Sequence, residues 1–95
     1  MIRSFASRDT EELFGGGSPR KFRSFQVQAE RKLQMLDSAK DLNDLRVPPG
    51  NRLEKLGGDR RGQHSIRIND QWRICFRWGD DGPWDVEIVD YPLKE

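Results

Sequence analysis

Apolar residues recur along this chain with two different spacings. Phe22, Phe25, Ala29, Leu33 and Leu36 step by three or four, which places all five on one face of a helix. Arg23, Glu30 and Gln34 take the opposite face. Ser18-Pro19 ahead of the run offers an N-cap followed by Pro at the first helical position. A shorter helix is predicted from Asp9 to Phe14, with Ser7 or Asp9 as its cap and Glu11 and Glu12 in the favourable first turn. Gly15-Gly16-Gly17 ends it. Ile2 to Phe5 reads as a short first strand. Leu42 and Leu45 add a turn of helix, and Val47-Pro48-Pro49-Gly50 stops any helix there.

Beyond that break the period becomes two. Ser65 to Ile68, Trp72 to Trp78 and Trp84 to Tyr91 are β-rich runs, and Arg52 to Leu56 is a further candidate strand. A two-residue loop at Asn69-Asp70 would pair Ile66 with Arg73 and mix the two faces. A three-residue loop, Asn69-Asp70-Gln71, pairs Ile68 with Trp72 and Ile66 with Ile74, and face matching favours it. Val86 and Ile88 continue the apolar face after a turn at Gly79 to Pro83. The predicted fold class is α+β: two N-terminal helices packed on one side of an antiparallel β-sheet.

At 95 residues the chain is expected to be one domain. Hydrophobic residues are 34% of it, low for a globular protein, yet three Trp, five Phe and one Tyr suffice to build a core. No apolar run approaches the roughly 18 residues that cross a bilayer. Met1-Ile2-Arg3-Ser4-Phe5 leads into charged sequence with no apolar signal segment. The single cysteine, Cys75, excludes an internal disulfide and a Cys-rich zinc site. The expectation is a cytoplasmic protein with no cofactor, no structural metal and no membrane contact.

Charge changes the picture more. The net charge is only +1, but residues 46–77 hold eight basic and three acidic side chains, residues 20–32 five and one, and residues 78–95 one and six. Arg outnumbers Lys, 12 to 5, which favours forked contacts to phosphate. If Ile66, Ile68, Trp72, Ile74 and Phe76 face the helices, strand alternation sends Arg67, Arg73, Cys75 and Arg77 to the other side. Arg60 and Arg61 precede the hairpin, and Arg52 and Lys55 lie before them. Converging arginines on an open sheet face form a platform for single-stranded RNA. The competing reading is a solvated face on which Asp85 and Glu87 pair with these arginines across the strands.

The segment Asn51-Arg52-Leu53-Glu54-Lys55-Leu56-Gly57-Gly58-Asp59-Arg60-Arg61-Gly62-Gln63-His64-Ser65-Ile66-Arg67-Ile68-Asn69-Asp70-Gln71-Trp72-Arg73-Ile74-Cys75-Phe76 resembles the central block of HigB-type toxins of the RelE superfamily. Met1-Ile2-Arg3-Ser4-Phe5, Pro48-Pro49-Gly50 and the closing Asp90-Tyr91 are similar to that family too. The resemblance implies a RelE-like fold and a ribosome-dependent mRNA endonuclease. It also implies a HigA-type antitoxin with a helix-turn-helix, through which alone DNA would be reached. Carried over by position, Arg73 matches the family's arginine for the scissile phosphate. Asp90 and Tyr91 match the first two residues of a terminal Asp-Tyr-His whose third position here is Pro92. Glu54 stands where some members have His, and Gly57 replaces a Lys.

RNA cleavage needs no metal, because the 2′-hydroxyl can attack its own phosphate and leave a 2′,3′-cyclic phosphate. The protein must orient that hydroxyl, take its proton, neutralise developing charge and protonate the 5′-oxygen. Arg73 is the candidate for charge, Glu54 or Asp90 for the base, and Tyr91 for stacking or proton supply. Arg52, Lys55, Arg60, Arg61, Arg67 and Arg77 are the candidate RNA-binding set. His64 shares the parity of Ile66 and reads as a packed or rim residue. Trp72 is assigned to the core, Trp78 and Trp84 to partial burial, and Cys75, with no companion His, is rejected as a nucleophile. Two readings compete with the nuclease: a RelE-like module that binds RNA or antitoxin without cleaving, because Pro92 replaces His, and a sheet that serves only a protein partner. The nuclease reading expects Arg73 to stand exposed on the sheet.

Overall fold

Ser7 starts the first helix, α1 (Arg8–Phe14), its hydroxyl accepting from the Thr10 amide at 3.2 Å, and Gly15 closes it. A computed structural model describes residues 1–90 of the chain. Pro19 leads into 3₁₀ turns over Arg20–Phe25, which pass into α2 (Gln26–Ser38). Ser18 is not the predicted cap. Its hydroxyl donates to Gln26 Oε1 instead. The 3₁₀ geometry eclipses positions three apart, and this brings Phe22 and Phe25 together onto Trp72, with ring centroids 5.9 and 5.0 Å from it. Short 3₁₀ turns follow at Leu42–Arg46 and Pro49–Asn51.

The sheet is antiparallel in chain order: β1 (Glu54–Lys55), β2 (His64–Arg67), β3 (Trp72–Gly79) and β4 (Gly82–Asp90). Ile66 pairs with Ile74, and the Ile68 amide donates to the Trp72 carbonyl at 2.9 Å, the register of the three-residue loop. Asn69 holds that loop, its Oδ1 accepting from the amides of Gln71 and Trp72, both at 2.8 Å. Ile2 to Phe5 does not form the predicted strand. It makes one parallel bridge, Phe5 with Val86. The register of β3 and β4 shifts between Cys75 and Arg77, and Asp85 there takes a left-handed φ of 55° with its amide bonded to Ser4 Oγ at 2.8 Å. That bulge bends the edge away from continuous pairing.

The main core lies between α2 and the sheet, where Phe22, Ala29, Leu33, Leu36, Leu45, Ile66, Ile74, Phe76 and Val86 are all fully buried. The other sheet face is not open. The segment from Leu56 to Gln63 folds over its middle, and Leu56, Cys75 and Val89 bury one another there. Among the described residues no helix is long and apolar enough to cross a membrane.

Candidate functional site

A cleft of about 490 Å³ opens at the hairpin end of that covered face, lined by Gly50, Arg52, Glu54, Arg67, Asn69, Asp70 and Arg73. Four candidate residues thus converge: Arg73 and Glu54 of the catalytic set, and Arg52 and Arg67 of the RNA-binding set. Strand geometry explains the meeting. Arg73 pairs with Arg67, and Glu54 pairs with Ser65, all on one side of three adjacent strands. Like charges directly opposite destabilise a sheet. Here each arginine has its own carboxylate, Arg67 with Asp70 and Arg73 with Glu54 at 3.8 Å.

Arg73 is not exposed as the sequence led us to expect. It is 5% accessible, because its strand is interior and its guanidinium is drawn inward by hydrogen bonds. Nε donates to Ser65 Oγ at 2.7 Å, and Nη2 donates to the Ser65 carbonyl at 3.3 Å and to the Arg52 carbonyl. Arg52 itself holds a left-handed φ of 45°, a conformation that costs a non-glycine residue about 1 kcal/mol or more unless its surroundings impose it. The guanidinium is therefore held in the cleft wall rather than standing free on the sheet. Glu54 is 49% exposed in its side chain and sits at the long end of the ion-pair range, so the pair is a weak one.

The remaining candidates are elsewhere. Asp90 pairs with Trp72, so its side chain has the parity of the helix-covered face and not that of Arg73. It accepts from Gln71 Nε2 at 3.2 Å. Lys55 pairs with His64 and alternates away from Glu54. Arg60, Arg61 and Arg77 gather toward the far end of β3, about 13 Å of strand from Arg73. There Arg60 pairs with Glu87 at 3.4 Å and Arg77 with Asp85 at 3.5 Å, the cross-strand pairing weighed against free arginines above. Tyr91 and Pro92 lie outside the described residues.

Other groups behave as their surroundings require. His64 stacks on Phe76, and burial, helped by the charges of Lys55 and Arg46, pushes its imidazole below the ordinary value. Burial raises the Cys75 thiol, with Arg60 and Arg73 opposing and Glu87 assisting, which leaves it a poor nucleophile. Trp78 is half-buried against Phe76, whereas Trp84 is 40% exposed, its Nε1 donating to Asp81. Among the described residues no group of three or more His, Cys, Asp or Glu side chains is placed to hold a metal ion.

Two residues beside the cleft escaped the sequence reading. Asn51, fully buried, donates to the carbonyls of Leu45 and Val47 at 3.1 and 3.4 Å. Its Oδ1 accepts from Lys32 Nζ at 2.6 Å. Burial lowers the Lys32 ammonium from its ordinary value, and the charges of Arg67 and then Arg31 add to this. The one available signal was the position of Lys32 next to Leu33, at the margin of the apolar helix stripe.

A family model described as the RelE-like toxin of type II toxin–antitoxin system HigB matches residues 3–91. Toxin HigB-1 of Vibrio cholerae serotype O1 is 54% identical over 50 residues, which are 53% of this chain and 53% of that toxin, so the match spans about half its length. Endoribonuclease HigB of Proteus vulgaris is 29% identical over 92 residues, covering 96% of this chain and 99% of that one. Among solved structures, a chain of the YoeB-YefM complex from Staphylococcus aureus superposes with a TM-score of 0.56 at 17% identity, covering 98% of this chain and 99% of that one, which establishes likeness of fold. With its α+β architecture, its hairpin register and a match that takes in nearly every described residue, the chain belongs to the RelE-like HigB toxin family of type II toxin–antitoxin systems.

Proposed function

We propose that this toxin is an endoribonuclease that cuts ribosome-bound mRNA without a metal ion, and that a HigA-type antitoxin holds it in check. The observation that carries the reading is the cleft, where three arginines, half-exposed Glu54 and exposed Asp70 surround a space of nucleotide size. In this mechanism the scissile phosphate displaces Glu54 from Arg73, whose guanidinium is already oriented by Ser65 and the Arg52 carbonyl. A donor fixed before the reaction stabilises developing charge without reorganising. The freed Glu54 carboxylate takes the proton of the 2′-hydroxyl as the oxygen attacks phosphorus. The P–O5′ bond breaks as the O2′–P bond forms, the 5′-oxygen takes its proton from solvent water, a 2′,3′-cyclic phosphate remains, and Arg52 and Arg67 hold the flanking backbone. Asp90, turned to the other face, is not the base in this scheme. The ribosome supplies the codon positioning that the short list of proton-transfer groups does not.

The test is expression of the chain without its antitoxin, with mapping of mRNA ends. Growth arrest with mRNA cut within codons, reduced at least tenfold by Glu54→Gln, is the expected result. Glu54 is half-exposed, so that variant leaves the fold intact. A specific observation favours a second reading, a toxin that binds without cutting: Asp90 lies on the other face by parity, and Pro92 replaces the family's His. Arrest with uncut mRNA would establish that reading instead.

A further inference from the structure

Among the described residues the charges around the cleft do not balance. Both of its carboxylates are engaged, Glu54 by Arg73 and Asp70 by Arg67. Among the described residues Arg52 and Lys32 have no carboxylate partner. Lys32 reaches this place from α2, not from the sheet, and what holds it there is Asn51, the residue between the cleft-lining Gly50 and Arg52. Asn51 is fully buried and spends its amide on the carbonyls of Leu45 and Val47 and on Met35 Sδ, so its Oδ1 has one orientation and the ammonium one anchor. An ammonium has three donors. Asn51 takes one, which leaves two for solvent or a ligand. Cations gathered without carboxylate partners are stabilised by an arriving anion.

We infer that Lys32 is a further phosphate-binding residue, which holds the RNA phosphate next to the one at Arg73, with Arg52 on its other side. This rests on the nuclease reading and deepens it, since it assigns a helix residue to a substrate contact otherwise built from the sheet and its loops. Burial, and after it the charge of Arg67, disfavours the Lys32 ammonium, and a phosphate beside it would offset both. The contact is electrostatic and independent of base identity, so it raises affinity without selecting a codon.

The experiment compares mRNA cleavage by the wild-type chain, Lys32→Gln and Lys32→Arg in a cell-free translation mixture over a range of salt. Lys32→Gln should slow cleavage about tenfold at low mRNA, chiefly through KM, and Lys32→Arg should restore most of the loss. The slope of log(kcat/KM) against log salt should fall by about 0.7 in the Gln variant, the loss of one single-strand phosphate contact. Equal rates and slopes for wild type and Lys32→Gln would overturn the inference and leave Lys32 as a strut for Asn51. Loss of antitoxin binding with cleavage intact would overturn it too, in favour of a protein contact. A wild-type chain that cuts no mRNA would overturn the nuclease reading itself. Should Lys32→Gln fail to fold, lysine acetylation of the wild-type toxin decides. Ribosomes programmed with an mRNA that carries a 2′-deoxy scissile position should protect Lys32 while the same ribosomes without mRNA do not, and an unprotected Lys32 on the programmed ribosomes would refute the contact.

Discussion

Replacing Arg73 by Ala should unfold this protein far more readily than replacing an exposed sheet arginine. The side chain is 6% accessible and bonds Ser65 Oγ, the Ser65 carbonyl and the Arg52 carbonyl. A hydrogen bond to a charged group contributes about 1.5–3 kcal/mol. The Glu54 contact, long and half-exposed, adds about 0–1 kcal/mol. Counting two strong bonds, and allowing for the desolvation cost that disappears with the charge, the net loss is roughly 2–4 kcal/mol. At about 4–8 °C per kcal/mol for a domain near this size, Tm should drop by roughly 10–30 °C. Thermal melts by circular dichroism measure this directly. Arg73→Lys, which keeps the charge but loses the planar fork, should fall between wild type and Ala. A shift below about 2 °C for Arg73→Ala would refute the claim that the guanidinium ties β3 to Ser65 of β2 and to the Arg52 backbone ahead of β1. Cleavage must therefore be compared at a temperature where each variant is folded.

Three other outcomes test the surrounding structure. Asn51→Ala should cost roughly 2–3 kcal/mol in urea unfolding, because the Leu45 carbonyl and the Lys32 ammonium lose a buried partner; an unchanged midpoint would show that the amide is dispensable. Burial holds the imidazole of His64 below its ordinary value, so through the window beneath that value the unfolded chain binds more protons, and stability is lost as the pH drops. In His64→Gln the difference in Tm between pH 7.5 and pH 5.5 should shrink, and an identical pH dependence would remove His64 from the account. The Cys75 thiol is buried and raised, so iodoacetamide should label it only after unfolding; rapid labelling of the native chain would contradict the packing of Leu56 over it.

Periodicity along the chain determined the α2 stripe, the core assignments of Phe22, Ala29, Leu33 and Leu36, and the Ile66–Ile74 register, because side-chain direction repeats every 3.6 or two residues and burial follows it. Parity likewise placed Arg67, Arg73 and Cys75 on one side of the sheet. Parity does not say what covers that side. The fold of Leu56 to Gln63 over Cys75 and Val89, and the inward turn of Arg73 to Ser65, depend on segments far apart in sequence. The same limit hid Asn51 and Lys32, whose bond spans 19 positions between a loop and a helix. A short-range pattern reports which way a side chain points, whereas its partner is chosen by the whole chain's packing, and only the tertiary structure turned a stripe of arginines into a walled cleft that Glu54 and Asp70 share.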